Sequence, residues 1–199
     1  MEYEQTFRFI LILGIAVIVP IGAYHRIKSQ ATGEKLDRHQ EGIFILVTLR
    51  PIGIAFMAGL VTYMINPALM AWSSVALSNW LRWSGVVIGI TGGLLLAVTF
   101  KTLGKNLTDT VVTRAAHTLV TRGPYRWVRH PFYLATALAV VANTLVTANW
   151  FLALTGGITF GLLVLRTRIE EEKLIERFGE DYKEYMKRTG RLLPRLFQT

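Results

Sequence analysis

Residues 131–165 read PFYLATALAVVANTLVTANWFLALTGGITFGLLVL, and this stretch contains no charged residue. Asn149 divides it into two apolar arms, Pro131 to Ala148 and Trp150 to Leu165. Long runs without charge are typical of membrane-spanning helices, and so short a join predicts a helical hairpin. Each arm is short for a hydrocarbon core about 30 Å thick. We therefore expect the two helices to extend into flanking residues such as Trp127 and Arg166.

Three further apolar runs precede this hairpin, at Phe7 to Tyr24, Ile43 to Ile65 and Trp80 to Phe100. Hydrophobic residues make up 52% of the chain, and its mean hydropathy is +0.39. These features predict an all-α integral membrane protein with five transmembrane helices. In the third run, Gly85 and Gly89 are four residues apart, which predicts a small-residue face for close contact with another helix.

The chain is strongly basic, with a net charge of +9, and the placement of this charge predicts the topology. Of the 22 lysines and arginines, 19 lie in the first loop (25–40), the segment 101–129 and the tail (166–199). The positive-inside rule then predicts an outside N-terminus, with the C-terminus and the polar segments in the cytoplasm. This placement accounts for the charge without a nucleic-acid partner. The absence of cysteine excludes disulfides and thiol catalysis.

The sequence predicts two parts of different character. Residues 1–100 form three N-terminal transmembrane helices, and residues 101–199 form a catalytic half with a cytoplasmic loop, the hairpin and a polar tail. Apolar residues recur at helical spacing in the tail, which predicts an amphipathic helix against the membrane or the active-site loop. Gly179 is expected to break this helix into two pieces.

Two charged segments at the same end of the hairpin are the candidate site. Residues 117–133 concentrate arginine, histidine and tyrosine between apolar runs, a density that marks a site at a bilayer surface. Pro131 suits the first position of a helix, whose next N–H groups can bind an anion. Arg166 and Glu170 share a helix face at the end of the hairpin's second arm. We expect the two segments to meet in space, although a solvated helix end is the alternative for the glutamates at 170–172.

A metal site is not predicted. His117 and His130 are the candidate ligands in this region, but no third ligand accompanies them at a suitable spacing.

Three motifs in this half resemble the isoprenylcysteine carboxyl methyltransferase family. They are Arg-His-Pro-Phe-Tyr at 129–133, Arg-x-x-x-Glu-Glu-Glu at 166–172 and Phe-Gly-x-x-Tyr-x-x-Tyr at 178–185. Related phospholipid methyltransferases share the Arg-His-Pro and Glu-Glu elements. The resemblance covers residues 103–194 and implies a membrane enzyme that holds S-adenosylmethionine in a cytoplasmic-facing pocket. It further implies a lipophilic acceptor from the bilayer, of the prenylcysteine carboxylate type, and the short chain indicates a prokaryotic homologue.

The resemblance also implies residue roles. Arg166 and Glu170 correspond to catalytic positions, with Arg166 close to the methyl acceptor. The positions implied to bind the cofactor are His117, Thr118, Leu119, Val120, Tyr125, Arg129, His130, Pro131, Tyr133, Glu170 and Glu171. This set suits S-adenosylmethionine, because glutamates can hold its cationic groups while arginine, histidine or helix N–H groups can hold its carboxylate.

Three alternatives remain open at this stage. A phospholipid amine N-methyltransferase would need a base for its acceptor, and Glu170 is the candidate. An NADPH-dependent reductase is the second, because membrane sterol reductases end in a related Arg-His-Pro and acidic-pair arrangement. A non-enzymatic membrane binding protein is the third.

Overall fold

The computed structural model describes residues 2–30, 43–104 and 118–195. Six α-helices lie in these ranges: α1 (Glu2–Gln30), α2 (Ile43–Ile65), α3 (Asn79–Leu103), α4 (Pro131–Thr147), α5 (Trp150–Phe178) and α6 (Glu180–Arg188). Two short 3-10 helices, Pro67–Ser73 and Gly123–Arg126, stand between them. The described ranges contain isolated β-bridges but no β-strand. The predicted all-α class is confirmed.

Four helices are long and apolar enough to cross a membrane. Their candidate spans are Tyr3–His25, Val47–Ile65, Asn79–Leu103 and Trp150–Phe178. The fifth apolar helix, α4, has 17 residues, which corresponds to a length of about 26 Å against a hydrocarbon core of about 30 Å. The integral membrane class is therefore confirmed, while the count of five spans stays a prediction.

Glycines bring α3 and α4 into close contact. A methyl group built on Gly85 would lie 2.7 Å from Cβ of Leu145, and one on Gly92 would lie 3.0 Å from Cβ of Leu138. Gly89 faces Ala142 in the same row, at 3.3 Å. The predicted small-residue face is confirmed, and it sets the position of α4, whose first residues carry half of the candidate site.

The hairpin turns at two residues. Ala148 adopts a left-handed conformation with φ of 46°, and Asn149 caps α5 by accepting a hydrogen bond from the backbone N–H of Leu152 at 3.1 Å. The amide of Asn149 also donates to Oγ of Ser73 at 2.8 Å. The turn is thus fixed both to its own helix and to the 3-10 helix Pro67–Ser73. The predicted helical hairpin is confirmed.

The helix ends match the sequence prediction on one arm only. Helix α5 continues past Arg166 as expected, and Gly179, with φ of 55°, separates it from α6 as expected. Helix α4 does not extend back to Trp127, so that prediction is wrong. The reason is that the backbone N–H of His130 donates to the carbonyl of Arg191 at 3.1 Å, which ties the chain before Pro131 to the tail rather than to a helix.

An ion pair between a buried arginine and a partly exposed glutamate joins four helices at the opposite end of the bundle. Arg82 donates to the carboxylate of Glu4 at 2.7 Å and to the carbonyl of Val146 at 2.7 Å. The hydroxyl of Tyr63 donates to the same carboxylate at 2.6 Å. This cluster connects α1, α2, α3 and α4 and holds the end of the bundle that is remote from the candidate site.

Candidate active site

The two charged segments meet, as the sequence predicted. The residues before α4 and in its first turn pack against the C-terminal part of α5. His130 and Tyr133 come from the first segment, and Glu170 and Glu171 come from the second. His130 is the N-cap of α4, but its ring makes no capping hydrogen bond and lies between the two carboxylates. The hairpin therefore assembles one polar network from residues that are 37 to 41 positions apart in the sequence.

Glu170 is the more open of the two carboxylates. The hydroxyl of Tyr133 donates to its Oε1 at 2.5 Å, and Nε of Arg166 lies 3.5 Å from the same oxygen. Nδ1 of His130 is 3.5 Å from the other oxygen. The side chain of Glu170 keeps 19% of its surface exposed, and that of Arg166 keeps 12%. The predicted pairing of Arg166 with Glu170 on one helix face is confirmed.

Glu171 is enclosed by cations. Its side chain is 4% exposed and accepts hydrogen bonds from Arg129 Nε at 2.8 Å and Arg191 Nε at 3.0 Å. His130 Nε2 lies 3.2 Å from it. Glu172, next along the helix, is exposed. Three consecutive glutamates thus occupy three environments, and the solvated-end alternative applies to Glu172 alone.

The pKa of His130 depends on its burial and on its two carboxylate neighbours. Burial by itself lowers the pKa of an imidazole, but the hydrogen bonds to Glu170 and Glu171 outweigh it, and the pKa of His130 is raised. Protonated, His130 can donate from both nitrogens. Arg129, Arg166 and Arg191 give this network three permanent cations against two carboxylates. The excess of positive charge suits an anionic ligand.

The tail packs on the loop that precedes α4. The hydroxyl of Tyr185 donates to the carbonyl of Tyr125 at 2.6 Å, and Tyr182 is 2% exposed beside it. Burial raises the pKa of Tyr185 to about 12. For Tyr125, burial and the nearby Tyr185 and Glu170 raise the pKa of the phenol. Of the two predicted positions for the tail, the structure places its helix α6 against the active-site loop.

The other predicted site residues differ in how they are placed. Arg129 donates to Glu171 and to the backbone carbonyls of Met186 and Thr189, so its guanidinium connects the loop to the tail. Pro131 is fully buried at the start of α4. Thr118 is exposed, Leu119 and Val120 are half-buried, and His117 lies outside the described residues. Their assignment to a cofactor remains a prediction.

Arg191 is a member of the network that the sequence did not identify. It lies in a polar tail, 20 positions from Glu171, with no spacing or motif that connects the two.

Within the described ranges, no group of three or more histidine, aspartate or glutamate side chains is placed to hold a metal ion.

Comparison with known proteins agrees with the motif resemblance. Residues 85–176 match the model of the family described as "Isoprenylcysteine carboxyl methyltransferase (ICMT) family". The "Protein-S-isoprenylcysteine O-methyltransferase" of Rattus norvegicus is 34% identical over 130 residues, which cover 62% of this chain and 44% of the rat protein. The "Methanethiol S-methyltransferase" of Pseudomonas deceptionensis is 40% identical over 73 residues, which cover 36% of this chain and 27% of that protein.

A solved structure supports the fold. The eukaryotic intramembrane Ras methyltransferase ICMT aligns with a TM-score of 0.55 and 22% sequence identity, over 96% of this chain and 63% of that chain. The chain spans less than half the length of the mammalian relatives that it matches. The resemblance found from the motifs is confirmed, and so is the helical membrane fold.

Proposed function

Since residues 85–176 carry the isoprenylcysteine carboxyl methyltransferase family domain, we propose that this protein is an integral-membrane methyltransferase. It moves the methyl group of S-adenosylmethionine to the carboxylate of a lipophilic, prenylcysteine-type acceptor. The observation that carries the proposal is the convergence of Tyr133, His130 and Arg166 on the carboxylate of Glu170. This arrangement lies at one end of a membrane bundle, where an acceptor with an apolar tail can remain in the bilayer.

The residues present fit the cofactor. S-adenosylmethionine has a sulfonium and an ammonium group, for which the partly open Glu170 offers a carboxylate, and it has a carboxylate of its own. The arginines of the network suit that carboxylate, and so does the dipole at the N-terminus of α4, which begins at Pro131 beside them. When bound, the cofactor supplies an activated methyl group on its sulfonium.

We assign to Arg166 the role of orienting the methyl acceptor. Its planar guanidinium can bind a carboxylate through two hydrogen bonds. Glu170, one helical turn away, restrains the position of that guanidinium. With S-adenosylmethionine bound, Arg166 would hold the acceptor carboxylate in line with the methyl group. The oxygen–methyl bond would form as the methyl–sulfur bond breaks, and the electron pair would remain on sulfur. No proton is transferred. Alignment and the exclusion of water supply the rate, and ideal alignment is worth up to about 7–11 kcal/mol.

The arrangement around Glu170 favours an acceptor that has no proton to lose. Both of its oxygens are engaged, Oε1 by Tyr133 and Arg166 and Oε2 by His130. An amine or thiol acceptor must release a proton, and a base would have to be available for it. A carboxylate needs positioning alone, so it fits the same residues without a further role for Glu170.

We assign the site to the cytoplasmic side, with the N-terminus outside. Support comes from the 19 lysines and arginines that the predicted five spans would put on the site's side of the membrane. Single cysteines at Gln5 and Gln198 should then react with an impermeant label from opposite faces of sealed vesicles. Labelling from one face would contradict this topology.

The test of function uses radiolabelled S-adenosylmethionine and purified protein in bilayers. N-acetyl-S-farnesylcysteine should become labelled as a methyl ester that releases methanol in alkali, and its carboxamide should not. Glu170→Gln should decrease the transfer on the order of 100-fold, whereas Glu172→Gln, at the exposed neighbouring position, should preserve it. Label in phosphatidylethanolamine or methanethiol instead would overturn the acceptor assignment. If no methyl is transferred but NADPH is oxidised, the reductase alternative is favoured. If neither reaction occurs, the alternative of a non-enzymatic binding protein is favoured.

A further inference from the structure

The C-terminal tail runs back along the loop that precedes α4. The backbone N–H of Arg129 donates to the carbonyl of Gly190 at 2.8 Å, and the N–H of His130 donates to the carbonyl of Arg191 at 3.1 Å. The N–H of Gly190 donates to the carbonyl of Trp127 at 3.2 Å. These three bonds hold the two residues before Pro131 against a segment some 60 positions later in the chain.

The position of Gly190 explains why the tail can lie so close. A methyl group built on Gly190 would overlap the carbonyl oxygen of Leu193, because the chain folds back on itself immediately after this residue. The fold-back leaves no room for a side chain at 190. It directs the next side chain, that of Arg191, towards the carboxylates of α5.

The side chain of Arg191 completes the shell of Glu171. It binds Oε2 through two N–H groups, one of them Nε at 3.0 Å, while Arg129 and His130 face Oε1. The carboxylate is 4% exposed, but the side chain of Arg191 is 37% exposed. A buried anion is therefore held on one side by a cation that solvent can still reach.

We infer that Arg191 is a positioning residue for the cofactor site. Its guanidinium fixes Glu171, Glu171 fixes Nε2 of His130, and the same imidazole reaches Glu170 through Nδ1 at 3.5 Å. The guanidinium of Arg191 binds Glu171, and Glu171 in turn lies 3.2 Å from Nε2 of His130, so Arg191 acts on the cofactor site through the histidine. The inference rests on the proposed function, and it assigns the tail to cofactor binding rather than to the chemical step.

The experiment compares Arg191→Ala with a matched control, Arg188→Ala. Arg188 lies in the same tail and pairs with Glu184 at 3.2 Å, but both of those side chains are exposed. In Arg191→Ala, the dissociation constant for S-adenosylmethionine should rise about tenfold, the order expected for loss of one charge-assisted hydrogen bond. At saturating cofactor, kcat should change by less than about twofold. Arg188→Ala should behave as wild type in both measurements.

Two further measurements separate positioning from simple stability. Amide hydrogen exchange at residues 129 and 130 should accelerate in Arg191→Ala and not in Arg188→Ala. Ethylguanidinium in the buffer should restore cofactor affinity to Arg191→Ala, since the lost side chain lies at a solvent-accessible position. If Arg191 only stabilised the packing of the tail, the affinity of Arg191→Ala for S-adenosylmethionine would not depend on the concentration of ethylguanidinium.

The outcomes are distinguishable. Wild-type protein that binds no S-adenosylmethionine would overturn the proposed function and this inference together. Wild-type protein that binds it, with equal affinity in Arg191→Ala, would overturn the inference alone, even if hydrogen exchange changes. Loss of affinity with rescue by ethylguanidinium supports the assignment.

Discussion

Glu171→Gln should destabilise the protein, whereas Glu170→Gln should slow turnover severely in a protein that stays folded. The carboxylate of Glu171 is 4% exposed and faces Arg129, Arg191 and His130. An amide in its place leaves these cations without their counter-charge, and removal of one partner from a buried ion pair costs about 3–5 kcal/mol. We expect the lower end, about 3 kcal/mol, because the side chain of Arg191 is 37% exposed and can be hydrated again.

For a domain of this size, about 3 kcal/mol corresponds to a decrease in Tm of roughly 6–12 °C. Glu170→Gln should lower Tm by less than about 3 °C, because its side chain is 19% exposed and the amide oxygen can still accept from Tyr133. Its kcat should decrease on the order of 100-fold as Arg166 loses its restraint. Unfolding by intrinsic fluorescence and methyl transfer are measured on one preparation in one detergent. Equal decreases in Tm for the two variants would refute the division of roles.

Three further predictions concern the scaffold and its pH response. Asn149→Ala should cost about 1–2 kcal/mol in detergent unfolding, because it removes a helix cap and a buried hydrogen bond, while Asn149→Ser should keep most of the cap. Gly85→Ala should cost about 1–3 kcal/mol through its contact with α4; Gly157→Ala, which has open space, should cost nothing in the same unfolding assay. The pKa of His130 is raised in the folded state, so its stabilising effect is complete below the unfolded pKa and is lost as pH rises through the folded pKa. Unfolding from pH 6 to 9 should therefore show a loss in wild type that is absent in His130→Gln, and parallel profiles would contradict the assignment.

The helical scaffold was predictable because its signals are local. An uncharged apolar run predicts a helix in a membrane, and the single asparagine between two such runs leaves room for a tight turn only. Gly85 and Gly89 predicted close packing through their spacing, and their contact with α4 confirms it. Pro131 begins α4 as its residue type predicted. The extension back to Trp127 was mispredicted because the tail, not the neighbouring residues, determines the conformation before Pro131.

The ion networks were predictable only in part, since they depend on contacts between distant residues. Glu170 and Tyr133 were identified because the start of the first arm and the end of the second arm of a helical hairpin lie next to each other, so the polar residues there must meet. Arg191 was not, since its partner is fixed by the path of the tail after Gly190. The pair of Arg82 with Glu4 was missed for the same reason: 78 positions separate the two residues, and α1 packs beside α3 only in the folded bundle.

The different environments of Glu170 and Glu171 follow from helix geometry. Consecutive residues on an α-helix point about 100° apart, so adjacent glutamates at the end of α5 face different neighbours. Glu171 faces the tail and the loop, where two arginines and a histidine enclose it. Glu170 faces α4 and the preceding turn of its own helix, where Tyr133 and Arg166 restrain it and leave part of its surface open. Because Glu171 is enclosed and Glu170 keeps part of its surface open, we predict that a ligand at this end of the bundle binds Glu170, while Glu171 stabilises the fold around it.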